Sequence, residues 1–192
     1  VTKTAVARLE GAAVARLEPG MVFPTADGAA MLQVEHAGLK AAAPITVKDV
    51  ATDPPVSFHR EVMPIFMRSG CNTGSCHGAA RGKDGFRISL FGFDPNGDHF
   101  RITRELGTRR INLAIPEESL IVEKSAGIVP HSGGKRFGTE TEYYTTMVRW
   151  LREGGLNDVG PVAKVEKVLI YPPSAVLSGE GSTQQFIAQA WY

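Results

Sequence analysis

The chain has 192 residues, 43% of them hydrophobic, which is enough to bury a core and sets a limit of one or two domains. Its formal net charge is +1, so charge gives no reason to expect a nucleic-acid partner. No apolar run approaches the ~20 residues needed to span a bilayer. The polar opening Val1-Thr2-Lys3 does not read as a signal peptide, and the sequence is expected to be a processed piece of a longer protein.

Residues 1–50 alternate apolar and polar side chains between Gly and Pro, the pattern of strands and turns. Leu32, Val34 and His36 are expected on one face, with Gln33 and Glu35 on the other. Val-Ala-Arg-Leu-Glu occurs at 6–10 and again at 14–18, a short repeat that predicts two neighbouring strands. Pro44-Ile45-Thr46-Val47 closes this stretch, and an extended linker follows through Asp53-Pro54-Pro55.

Residues 51–160 carry helical signatures. Ser57 is the expected N-cap of a helix whose apolar face is Phe58, Val62, Ile65 and Phe66, with Pro64 marking a kink or a first turn. Asn96-Gly97-Asp98 reads as a turn that leaves His99 exposed. A short helix is expected from Pro116 to Lys124. A final helix follows, with Thr139 and Glu142 at capping-box spacing and Tyr143, Met147, Trp150 and Leu151 as its apolar stripe. Gly154-Gly155 ends it. Residues 161–192 return to strand pattern at 165–171 and 184–192, too little chain to bury a sheet alone.

Between the first two helical segments lies Cys71-Asn72-Thr73-Gly74-Ser75-Cys76-His77, which holds the only two cysteines. Attachment of c-type haem needs two thiols for thioether bonds to the porphyrin and an adjacent imidazole as an axial ligand to iron. Four residues separate these cysteines where the usual motif has two, and Gly74 is expected to let the loop bulge. The same seven residues are also compatible with a small disulfide loop or with two unpaired structural thiols. Zinc is the weaker alternative, because two Cys and one His leave a fourth ligand missing.

The run Phe58–Gly155 resembles the monohaem cytochrome module of large planctomycete and verrucomicrobial secreted proteins. The matching segments are CNTGSCHG, GFRISLFGFDP, ITRELGTRRIN, PEESLIVEKSAGIVPHSGGKRF and YYTTMVRWLREG, and the resemblance includes the four-residue spacing. The flanks resemble bacterial Ig-like (group 2) sequence: 161–192 looks like the first half of a sandwich and 1–50 like the second. The implied fold is multidomain α plus β. A small class I-like α-helical cytochrome c domain (51–160) would be flanked by two Ig-like β-sandwich segments (1–50 and 161–192).

The resemblance implies one covalent haem c with Cys71 and Cys76 as thioether donors and His77 as one axial ligand. For the second, His36 sits in the β flank and His59 in the first turn of the helix feeding Cys71. Met63 and Met67 share that helix, and Met147 belongs to a packing stripe. His131, in the aperiodic loop Val129-Pro130-His131-Ser132-Gly133-Gly134, matches the distal-ligand position of the family. Arg109, Arg110, Lys135 and Arg136 (and Arg104) are candidate partners of the haem propionates, with an ordinary solvated basic face as the alternative. Trp150 and Phe137 pack either on the porphyrin or in the core.

Two axial imidazoles leave iron no open position, so the expected role is electron transfer, not catalysis. The module would exchange electrons with a redox partner protein or with a catalytic domain of its parent chain, in a periplasmic or other extracytoplasmic setting. The alternative is an Ig-like binding or structural module in which haem is stabilising or sensory. The two β flanks would either complement each other within one chain, form a strand-swapped dimer, or stand as separate pieces.

Overall fold

The computed structural model describes residues 4–18, 20–106 and 109–192. The chain divides into two compact units, Val1–Pro54 and Pro55–Tyr192, with the boundary inside the expected Asp53-Pro54-Pro55 linker. Its class is α plus β, with four α-helices and small antiparallel sheets among the described residues.

The first unit contains β1 (Val6–Glu10), β2 (Ala15–Glu18), β3 (Met21–Pro24), β4 (Gly28–His36) and β5 (Leu39–Val47). β4 is the centre of an antiparallel sheet of order β1-β4-β5, while β2 and β3 form a two-stranded sheet. The alternation expected for β4 is present: Ala30 is buried, Leu32, Val34 and His36 are half-buried, and Gln33 and Glu35 are exposed. Pro44 lies in β5, an edge strand, where a missing N–H breaks no interior ladder. The two Val-Ala-Arg-Leu-Glu copies both contribute strands but are not paired with each other. β1 takes β4 as its partner and β2 takes β3, because strand pairing is decided by turn length and register and not by local pattern.

The second unit opens on Ser57, whose side chain accepts the Arg60 N–H as predicted for an N-cap. The first turns, Phe58–Val62, are wide: the Val62 N–H bonds back to the Ser57 carbonyl and the Met63 N–H to the Phe58 carbonyl. They run into α1 (Met63–Arg68), with Pro64 in its first turn, where no donor is missed. α2 (Pro95–Thr103) was not expected. Asn96-Gly97-Asp98 is its first turn, not a loop, with the Asp94 side chain accepting the Gly97 N–H and Pro95 at the first helical position.

A short 3₁₀ turn, Pro116–Glu118, leads into α3 (Leu120–Ala126), which ends at left-handed Gly127. α4 (Glu142–Arg152) is capped by Thr141, not Thr139; the Thr141 hydroxyl accepts the Tyr144 N–H. The core of this unit joins Phe58, Val62, Ile65 and Phe66 to Ile88, Ile102, Val122, Met147, Trp150 and Leu151. Beyond α4, β6 (Lys167–Tyr171) and β7 (Ile187–Trp191) pair antiparallel as a two-stranded sheet whose residues are almost all exposed. No helix among the described residues is long and apolar enough to cross a membrane.

Candidate functional site: a thiol and imidazole cleft

α1 ends at Ser69, and the chain turns into the cysteine loop by donating the Cys71 N–H to the Phe66 carbonyl. The loop is closed by its own backbone: Cys76 N–H to the Thr73 carbonyl, His77 N–H to Cys71, and Gly78 N–H to Thr73. Gly74 faces open space and is not in the left-handed region, so the bulge does not depend on it. Gly78 is the glycine this loop requires, because a β-carbon there would collide with the Asn72 carbonyl. Both cysteines are free thiols; Cys71 is buried and Cys76 is half-exposed.

The two thiols differ electrostatically. Burial pushes the Cys71 thiol up to about 11, so it stays protonated at neutral pH. Cys76 is held below the ordinary thiol value, first by the Thr73 side chain, with the Arg136 guanidinium 3.7 Å from its sulfur.

His77 and His131 are brought together across one cleft. Their rings are 6.3 Å apart between centroids and 3° from parallel. The His77 Nδ1–H donates to the Phe86 carbonyl at 2.8 Å, and the His131 Nδ1–H donates to the Gly134 carbonyl at 3.0 Å. In a neutral ring, an Nδ1–H tied to a carbonyl puts the lone pair on Nε2. Partial burial holds His77 below the ordinary histidine value and therefore neutral at pH 7. His131 is set by a tight turn in which its own carbonyl accepts the Gly134 N–H, and the loop is anchored on α3 by the Arg136 N–H donating to Ser125.

The cleft is partly open to solvent, and its lining includes Cys71, Cys76, His77, Arg109, Arg110, His131 and Arg136. Phe66, Phe86, Leu106, Leu120 and Ile121 supply apolar wall. Lys83, Asp84 and Lys124 also reach it, and none of these was anticipated. The missed signal was Lys83-Asp84-Gly85-Phe86. Asp-Gly is a turn dipeptide, and Asp84 and Gly85 both have positive φ (53° and 74°), with Lys83 bridged to Phe86. This turn presents the Phe86 carbonyl to His77.

The basic candidates separate clearly. Arg136 has a buried Nε with no partner, and no carboxylate pairs with it among the described residues. Arg109 is exposed at the cleft. Arg110 is buried, and its terminal nitrogens already donate to the carbonyls of Arg101, Glu105 and Gly85. Lys135 is exposed and does not line the cleft. Arg104 is likewise exposed and off the lining.

Trp150 and Phe137 are core residues, not cleft residues: Trp150 packs on Phe58 and donates its indole N–H to the Leu156 carbonyl, and Phe137 packs on Tyr143. His99 is half-buried, not exposed as its turn-like surroundings suggested. Its Nε2 meets the Gly155 carbonyl at 2.8 Å and its ring lies against Phe58 and Trp150. His59 engages Asn96, His36 lies in β4, and Met147 is fully buried in the core, so none of these lines the cleft. Comparison with protein-family models, curated proteins and solved structures finds no match for this chain.

Proposed function

We propose that the chain is a monohaem electron-transfer module, with one c-type haem attached through Cys71 and Cys76 and ligated by His77 and His131. The observation that carries this reading is the pair of parallel imidazoles, 6.3 Å apart, each with Nδ1 committed to a backbone carbonyl. With both Nδ1 atoms facing backbone carbonyls, His77 and His131 would hold iron through Nε2. Two unbridged thiols at the same cleft supply the donors a covalent porphyrin requires. When bound, the haem supplies reversible one-electron storage.

The chain's own residues have definable parts in this reading. Phe86 and Gly134 fix the tautomers of the two histidines and strengthen their Nε2 donors through the bonds they accept. Arg136, whose Nε lacks a partner, would face a propionate, and Arg109 would add a second positive charge. Phe66, Leu106, Leu120 and Ile121 exclude water from the cleft wall. With His77 and His131 both holding iron, the module would pass electrons without binding oxygen or peroxide. A redox partner protein, or a catalytic domain of the parent chain, in an extracytoplasmic compartment completes the proposal.

Intact-mass measurement tests it first. The protein is expected to exceed its sequence mass by one haem, and that excess should survive acid denaturation. The ferric form should be low-spin without a methionine-to-iron band, and His131→Ala should open a site for carbon monoxide. An unmodified mass with a Cys71–Cys76 disulfide would overturn the reading.

A further inference from the structure

We propose that Arg110 is a positioning residue for His77, acting through the Lys83–Phe86 turn. The inference rests on the reading of His77 as an iron ligand. Arg110 is only 6% exposed, which is costly for a permanent cation and calls for a structural reason. Its Nη1 donates to the carbonyls of Arg101 (2.7 Å) and Glu105 (2.8 Å) at the end of α2. Its Nη2 lies 3.4 Å from the Gly85 carbonyl and 3.4 Å from a Glu105 carboxylate oxygen. The guanidinium carbon sits 4.6 Å from the centroid of the Phe86 ring.

Phe86 is the residue that faces His77. Its carbonyl accepts the His77 Nδ1–H, and its ring lies 4.6 Å from the imidazole. Arg110 therefore holds the carbonyl of the Gly85–Phe86 peptide link and the Phe86 ring that follows it. That grip sets where the Phe86 carbonyl points. The carbonyl in turn sets the orientation of His77 and how much electron density its Nε2 can donate. The same contacts distinguish Arg110 from Arg136, whose Nε has no partner and whose Nη2 meets the Cys76 sulfur.

The experiment compares wild-type protein with Arg110→Gln and Phe86→Leu, by reduction potential and by NMR of the His77 Nδ1 proton in the diamagnetic ferrous state. Both variants are expected to keep the covalent mass and the low-spin spectrum. The potential should shift upward, because a weaker Nδ1–H bond lowers donation to ferric iron, and the His77 Nδ1 proton should exchange about tenfold faster. Phe86→Leu keeps the carbonyl and removes only the ring, so its shift should be smaller in the same direction, and it serves if Arg110→Gln does not fold. An unchanged potential and unchanged proton exchange in both variants would overturn the proposal and leave Arg110 as a tie between α2 and the turn. If wild-type protein carries no added mass, the electron-transfer reading fails. The exchange of the His77 proton in that unloaded protein still decides the role of Arg110.

Discussion

The β unit and the helical body are built on opposite balances of backbone and side chain. Among the described residues of 1–54, the only buried hydrophobics are Ala15 and Ala30. The helical body buries Phe58, Met63, Met147, Trp150 and Leu151 almost completely. Burying an alanine removes little apolar surface, whereas a Phe, Leu or Met side chain contributes roughly 1.5–3 kcal/mol. Strands β1, β4 and β5 are therefore held mainly by their ladder. The cleft-bearing body is held by close packing, and a rigid frame is what two histidines on separate loops require if their spacing is to persist. The β6–β7 pair resembles the first unit in this respect, since a lone two-stranded sheet with exposed Val168, Ile170 and Trp191 has little to stabilise it in water.

The sharpest way to break this contrast is limited proteolysis of the full chain followed by mass spectrometry. Cleavage is expected first within 1–54 and 161–192, leaving a resistant fragment close to 55–160, because opening free energy tracks buried apolar contact. A protected N-terminal fragment would show that the β segments are stabilised by association such as a strand-swapped dimer, and uniform cutting would remove the contrast.

Single-residue truncation sharpens the same point. Trp150→Ala should destabilise the helical body by about 3–5 kcal/mol, the range for emptying a large core site. Ala30→Gly in β4 should cost only about 0.5–1 kcal/mol. Calorimetry of the two variants would report both, and equal effects would refute the difference in packing.

A smaller effect tests the helix ends. Ser57→Ala and Thr141→Ala should each cost about 1 kcal/mol, since each side chain accepts a backbone N–H that would otherwise lack a partner. Thr139→Ala should be close to neutral in denaturant titration. A reversed order for Thr139 and Thr141 would return the cap of α4 to its sequence-predicted position.

The mildest effect is pH-dependent and belongs to the helical body. Burial lowers the His99 pKa below the ordinary value of 6.5. Its ring faces the Gly155 carbonyl, Phe58 and Trp150, with Arg104, His59 and Asp158 as the charged or titratable neighbours. With the folded value depressed, the unfolded chain binds more protons just below 6.5. The stability held by neutral His99 is complete above that pH and is lost as pH falls through it towards the lower folded value. Thermal melts from pH 7.5 to 5 should show this decline reduced in His99→Gln. An identical pH profile in that variant would remove His99 from the account.

Much of the helical body was legible before the structure, because its information is local. The Ser57 cap, the Phe58-Val62-Ile65-Phe66 face and the Met147-Trp150-Leu151 stripe follow from hydrogen-bond geometry and a 3.6-residue period. α2 was hidden by Asn96-Gly97-Asp98, although Asp94-Pro95 ahead of it is a helix start, and a cap with proline at the first turn outweighed a turn-like tripeptide.

By itself the sequence determined the spacing of Cys71, Cys76 and His77, the existence of the strands and three of the helices, and the set of histidines and arginines from which a site could be drawn. Tertiary structure alone decided that two identical pentapeptides join different sheets and that His131 faces His77. It also decided that Arg110 grips carbonyls while Arg136 keeps an unpaired nitrogen. The reason is one of range. A cap or an apolar stripe is satisfied within a few residues, but the partner of a buried donor or of a strand edge is whichever distant group chain closure brings beside it.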